Sequence, residues 1–225
     1  MSQLSRDLLI FDLDGTLVDS KLDLVHAVNA ARGLMDLAPI SEELVSSYVG
    51  NGAPVLMRRA LGPEASEADV ARGLEFFMTY YRAHMLDNTR LYPGVKDALD
   101  RLRDSGAKMA VLTNKPVRIS RSIVEGLGLA QHFFRLYGGN SFEQKKPDPI
   151  GIESLLEESG LTRERTIMVG DSGVDVQTAR NAKVRACGVS YGFQPESFVE
   201  YPPDFIVDDM RELVDYALTP PLSPG

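Results

Sequence analysis

The stretch Leu8-Leu9-Ile10-Phe11-Asp12-Leu13-Asp14-Gly15-Thr16-Leu17-Val18-Asp19-Ser20 passes from a wholly apolar run into paired acids and then a glycine. The apolar run carries no charge at either alternate position. It therefore reads as a strand covered on both faces, the kind found inside a parallel sheet. Asp12 and Asp14, at i and i+2, point to one side of such a strand. Their charges repel there and call for a bound divalent cation or a shared proton. Gly15 lets the backbone turn sharply out of the strand.

Further strands of this type are expected at Lys108–Thr113, Leu136–Gly138, Thr166–Val169, Ala186–Ser190 and Phe205–Val207. Helix-period stretches lie between most of them, at Gly94–Asp104, Arg118–Leu127, Gly151–Ser159 and Asp175–Ala182. Strands alternating with helices predict βαβ units and an α/β fold. The alternation breaks from about Asp19 to Asp87, where only helical patterns occur: one opened by Leu22, Val25 and Val28, one over Val55–Leu61 and one over Val70–Met85. Pro39, Gly50 to Pro54 and Gly62-Pro63 separate them. The expected organisation is a Rossmann-like, three-layer parallel-sheet core (residues 1–18 and 88–225) with an inserted all-helical cap (residues 19–87).

The 225-residue chain carries 24 Lys+Arg against 32 Asp+Glu, a net charge of −8. That balance offers no footprint for nucleic acid or an anionic membrane. A single cysteine, Cys187, gives no internal disulfide. The start, Met1 to Asp7, has no signal-peptide pattern, and no apolar run approaches the ~20 residues of a membrane span. A cytoplasmic protein is expected, with a frayed tail from Thr219 to Gly225.

Three more groups sit at or just beyond the carboxyl ends of expected strands. Thr113-Asn114 offers a hydroxyl and an amide to a phosphate oxygen. Lys145-Lys146 precedes Pro147, and physics alone does not choose between the two lysines. Gly170-Asp171-Ser172-Gly173-Val174-Asp175 ends a strand in one acid with another a helical turn on, Asp171 or Ser172 also suiting a helix N-cap. Open α/β sheets bind ligands along that edge. Carboxylates for a hard cation, neutral donors and a lysine are the inventory for a phosphoryl group.

Asp12-Leu13-Asp14-Gly15-Thr16, Thr113-Asn114, Lys146-Pro147 and Gly170 to Asp175 resemble the four ordered motifs of the haloacid dehalogenase-like phosphatases. The helical insert matches that superfamily's C1-type cap, and Val49 to Leu61 is similar to the cap segment of bacterial phosphoglycolate phosphatases. The resemblance implies a small phosphorylated metabolite as substrate, 2-phosphoglycolate first among them. Another small phosphate ester, pyrophosphate or a sugar phosphomutase reaction is the alternative. It implies Asp12 as nucleophile and Asp14 as general acid and base, kept from full ionisation by its surroundings. It implies Mg²⁺ held by Asp12, the Asp14 carbonyl and Asp171, with Asp175 orienting a water or Lys146. Thr113, Asn114 and Lys146, chosen by its register against Pro147, would hold the phosphate. Gly50, Asn51 and Gly52 would meet the substrate's carboxylate, with Asn51 capping the helix that begins at Ala53. Two departures stand out: Asn140 follows Gly138-Gly139 where an acid is usual, and Lys183 stands where a helix-ending glycine is usual.

Overall fold

The computed structural model describes residues 8–218, so the start and the tail discussed above lie outside the described residues. In chain order the elements are β1 (Leu8–Phe11), β2 (Val18–Asp19), α1 (Lys21–Leu34), α2 (Glu42–Tyr48), α3 (Ala53–Leu61), α4 (Glu67–His84) and β3 (Arg90–Leu91). Then come α5 (Val95–Asp104), β4 (Lys108–Leu112), α6 (Val117–Gly126), β5 (Arg135–Tyr137), α7 (Ile150–Ser159) and β6 (Thr166–Gly170). The chain closes with α8 (Gly173–Asn181), β7 (Arg185–Val189), β8 (Phe205–Val207) and α9 (Met210–Leu218).

The main sheet has the order β5-β4-β1-β6-β7-β8, and its pairs are parallel. β1 lies in the middle, with Phe11 opposite Val111 on one side and Val169 on the other. Its side chains divide between two apolar layers. Leu9 and Phe11 pack with α5, α6 and α9, while Leu8 and Ile10 pack with α7 and α8. All six expected strands are present, and the two layers of helices explain why β1 carries no polar residue.

The insert differs in detail from the expected pattern. It holds four helices, α2 being the extra one, and it is framed by a two-residue antiparallel pair, β2 with β3. The apolar layer under Phe11 runs on through Leu13 and Leu17 into Leu24, Leu56, Phe77 and Tyr81, so insert and sheet share one core. Asp23 of α1 ties the returning chain to this junction. Its buried carboxylate accepts from the backbone N–H groups of Asn88 and Thr89, from Asn88 Nδ2 and from Thr89 Oγ1, at 2.8–3.0 Å. Burial pushes the Asp23 carboxyl upward, and these hydrogen bonds outweigh it and hold it below its ordinary value.

Lys183 adopts the left-handed conformation, φ 57°, at the end of α8. The Val184 N–H still donates to Ala179 O at 2.9 Å. The helix is thus closed as glycine would close it, with the strain of a side chain added. Asn140 Oδ1 accepts from the Val117 N–H at 2.9 Å, so the amide caps the start of α6. His132 is a buried structural residue whose Nε2 meets Asp100 at 2.8 Å, and Cys187 is buried in β7. Among the described residues no helix is long and apolar enough to cross a membrane.

Candidate active site

The loop after β1 winds back on itself: Leu17 N donates to Leu13 O at 2.9 Å and Gly15 N to Val18 O at 3.0 Å. Gly15 has φ 77°, and a Cβ there would stand 2.1 Å from Asp171 Oδ2. No side chain fits where the loop crosses the end of β6. This crossing brings Asp12 to Asp171 and Asp175, whose carboxylates lie within 4.8 Å of one another, all buried.

β1 ends at Phe11, and Asp12 and Asp14 beyond it each have a buried lysine beside them. Lys146 Nζ lies 3.0 Å from Asp12 Oδ1 and 2.6 Å from Asp175 Oδ1. Lys115 Nζ lies 2.9 and 2.8 Å from the two oxygens of Asp14, which also accepts from Ser20 Oγ at 2.5 Å. A buried ammonium and a hydroxyl thus face Asp14.

Burial pushes the Asp12 carboxyl up to about 6; Lys146 opposes that shift and the Asp175 charge adds to it. Burial also raises Asp171 well above its ordinary value, helped by the charges of Asp175 and Asp12. Phe193 N–H donates to Asp171 Oδ2 at 2.7 Å. Both buried lysines stay cationic because their carboxylates outweigh the burial penalty. Four buried carboxylates thus face two ammonium groups. The residual negative charge and the all-oxygen donor set fit a hard divalent cation among Asp12, Asp171 and Asp175. Asp175 is bound through Oδ1 to Lys146 and through Oδ2 to Ser172.

Thr113 and Asn114 are buried at the end of β4. Asn114 Nδ2 donates to Gly50 O at 2.9 Å and Lys146 O at 3.0 Å, which leaves Oδ1 buried without a partner. Its side chain is committed to a tie between sheet and insert. Two more core side chains reach the same loop. Lys145 Nζ donates to Asn51 O at 2.7 Å, and Gln194 Nε2 to Ser46 O and Val49 O at 3.0 and 2.9 Å.

The cleft beneath is lined by Asp12, Asp14, Thr113, Lys115 and Asp171 from the sheet edge. Leu24, Leu56, Phe77 and Tyr81 face them from the insert. Gly50 and Gly52 line it as well, and Asn51 does not. The N-cap of α3 is Gly52, φ 85°, rather than Asn51; Asn51 turns its carbonyl to Lys145 instead. Arg58 is spent on Ala65 O and Glu67, away from the cleft. Lys115 is a buried residue of this cleft that the sequence reading missed. A lysine after Asn and before Pro looks like turn chemistry, and its partners Asp14 and Tyr81 lie 101 and 34 residues away.

A central parallel sheet, acids at its carboxyl edge and a helical insert after the first strand define a class of hydrolytic α/β enzymes. The haloacid dehalogenase-like hydrolase family matches residues 9–189, and the chain belongs to it. It is 41% identical over 218 residues to a phosphoglycolate phosphatase of Agrobacterium fabrum, covering 96% of this chain and 91% of the relative. It is 38% identical over 222 residues to that of Vibrio parahaemolyticus, covering 96% and 97%. A solved structure from Haemophilus somnus, described as a predicted phosphoglycolate phosphatase, superposes with a TM-score of 0.89 at 34% identity. It covers 93% of this chain and 97% of its own.

Proposed function

We propose that this protein is an Mg²⁺-dependent phosphomonoester hydrolase that works through an aspartyl-phosphate on Asp12, with 2-phosphoglycolate as substrate. The observation that carries the chemistry is the buried Asp12 carboxylate, 3.0 Å from Lys146 Nζ and clustered with Asp171 and Asp175. The substrate rests on the names of relatives that match 96% of this chain.

In this reading an Asp12 oxygen attacks phosphorus and the bond to the leaving oxygen breaks. Asp14 gives the leaving oxygen its proton, then takes one from the water that hydrolyses the aspartyl-phosphate. The Asn114 backbone N–H, the Thr113 hydroxyl and Lys146 hold the phosphoryl oxygens, and Asp175 keeps Lys146 in place. Asp12, the Asp14 carbonyl and Asp171 would hold Mg²⁺, which when bound offsets the charge of two anions brought together. Residues 19–87 form a cap over the remaining residues, excluding water and receiving the leaving group. Gly50 and Gly52 give that cap a close backbone wall, and the location that goes with this reading is the cytoplasm.

Phosphate release across a panel of small phosphomonoesters, with Mg²⁺ present, tests the reading. Phosphoglycolate is expected to lead the panel, and Asp12→Asn to release nothing. Release by Asp12→Asn at the wild-type rate would refute the covalent route, and indifference to phosphoglycolate would refute the substrate.

A further inference from the structure

Lys115 is the one ammonium among the described residues that lines the cleft. It is buried, and the steps proposed above give it no task. Its Nζ contacts both oxygens of Asp14 and donates to Tyr81 OH at 2.7 Å, lying 4.5 Å from the centre of the Tyr81 ring. Three distant parts of the chain meet there: the loop after β1, the loop after β4, and α4 of the insert.

We propose that Lys115, supported by the Tyr81 hydroxyl, binds the carboxylate of the leaving group and selects phosphorylated hydroxy acids over neutral esters. The proposal rests on the reading of Asp12 and Asp14 given above. A leaving oxygen that takes its proton from Asp14 has Lys115 as its next polar neighbour. In phosphoglycolate the carboxylate is one methylene removed from that oxygen, within reach of Nζ.

Of the wall's other polar side chains, Asn114 donates to Gly50 O and Lys146 O, Ser172 to Asp175 and Gln194 to Ser46 O and Val49 O, while Thr113 is given to the phosphoryl group. Leu24, Leu56, Phe77 and Ile119 are apolar, and apolar contact barely separates a carboxylate from a methyl group. The Gly50 carbonyl is an acceptor already engaged by Asn114. Lys115 has three donors on a flexible stem, so it can keep Asp14 and Tyr81 while turning one donor to the ligand. Because Tyr81 belongs to the insert, the pair is assembled only when insert and sheet meet.

The test is a charge series at the leaving group: phosphoglycolate, ethyl phosphate and phosphoethanolamine, each by kcat/KM with Mg²⁺ present. The wild type is expected to fall in that order, with on the order of 10–100-fold between the first two, the worth of a hydrogen bond to a charged group. In Lys115→Met, or Lys115→Gln should the methionine variant not fold, phosphoglycolate and ethyl phosphate should converge to within a few-fold. Lys115→Arg should keep the order. A lysine that only braces Asp14 and Tyr81 would slow all three substrates alike and leave their ratio standing. A wild-type-sized preference in the neutral variants would overturn this proposal alone. The absence of any preference in the wild type would overturn it together with the phosphoglycolate reading.

Discussion

Replacing Lys146 and Lys145 separately by methionine separates two neighbours that the sequence makes look alike. Lys146 Nζ is buried between Asp12 at 3.0 Å and Asp175 at 2.6 Å. Its removal leaves both carboxylates without their cation, and breaking a buried pair in this way costs about 3–5 kcal/mol. For a chain of 225 residues, that corresponds to a fall in Tm of about 6–20 °C. Turnover should fall ~10²–10³-fold, the usual loss when one positioned donor to a reacting group is removed. Lys145 is exposed and makes one bond, 2.7 Å to Asn51 O. Its loss should cost about 0.5–1 kcal/mol and a few-fold in rate. Thermal melts and phosphate release on both variants decide the matter. Added Mg²⁺ returns positive charge to the same carboxylates, so in Lys146→Met it should recover part of the lost Tm without restoring turnover. Equal losses in the two variants, or the reverse order, would refute the reasoning.

Three further outcomes are expected. Asp23→Asn should cost about 3 kcal/mol at pH 7, since buried donors lose an ionised acceptor. Because the Asp23 carboxyl is held below 3.8 in the folded protein, its stabilisation is complete above that value and disappears as pH falls through the folded pKa. Denaturation of wild type and variant should therefore converge at strongly acid pH. Lys183→Gly should gain about 0.5–1 kcal/mol by relieving the left-handed side chain, read from the urea midpoint at unchanged slope. Chelator should abolish phosphate release, Mg²⁺ should restore it, and Ca²⁺ should inhibit it, because an all-oxygen site sized for compact octahedral coordination is expanded by the larger ion.

The strands were legible because burial on both sides leaves an unmixed apolar run, as at Leu8–Phe11 and Thr166–Gly170. The four acids were legible because each stands at or close to a strand end, whereas Lys146 was separated from Lys145 only by the family resemblance, through its register against Pro147. Elements too short to show a period escaped: α2 has seven residues and β2 two. α9 at Met210–Leu218, beyond the last expected strand, escaped as well. Lys115 escaped for a different reason. Its meaning lies in Asp14 and Tyr81, and nothing in the residues beside it encodes their approach. The expected cap by Asn51 failed because Gly52 takes the turn with φ 85°, which leaves the Asn51 carbonyl facing the core.

Three side chains that hold the segment from Ser46 to Asn51, namely Gln194, Asn114 and Lys145, belong to the sheet side, and each of their acceptors in that segment is a main-chain carbonyl. Docking is thus blind to what the loop's own side chains are. A main-chain oxygen survives a change of side chain, so the loop can be rewritten while its moorings stay in place. This stretch of the cleft wall is in this way free to vary, and new substrates can be explored there without first inventing a new way to close.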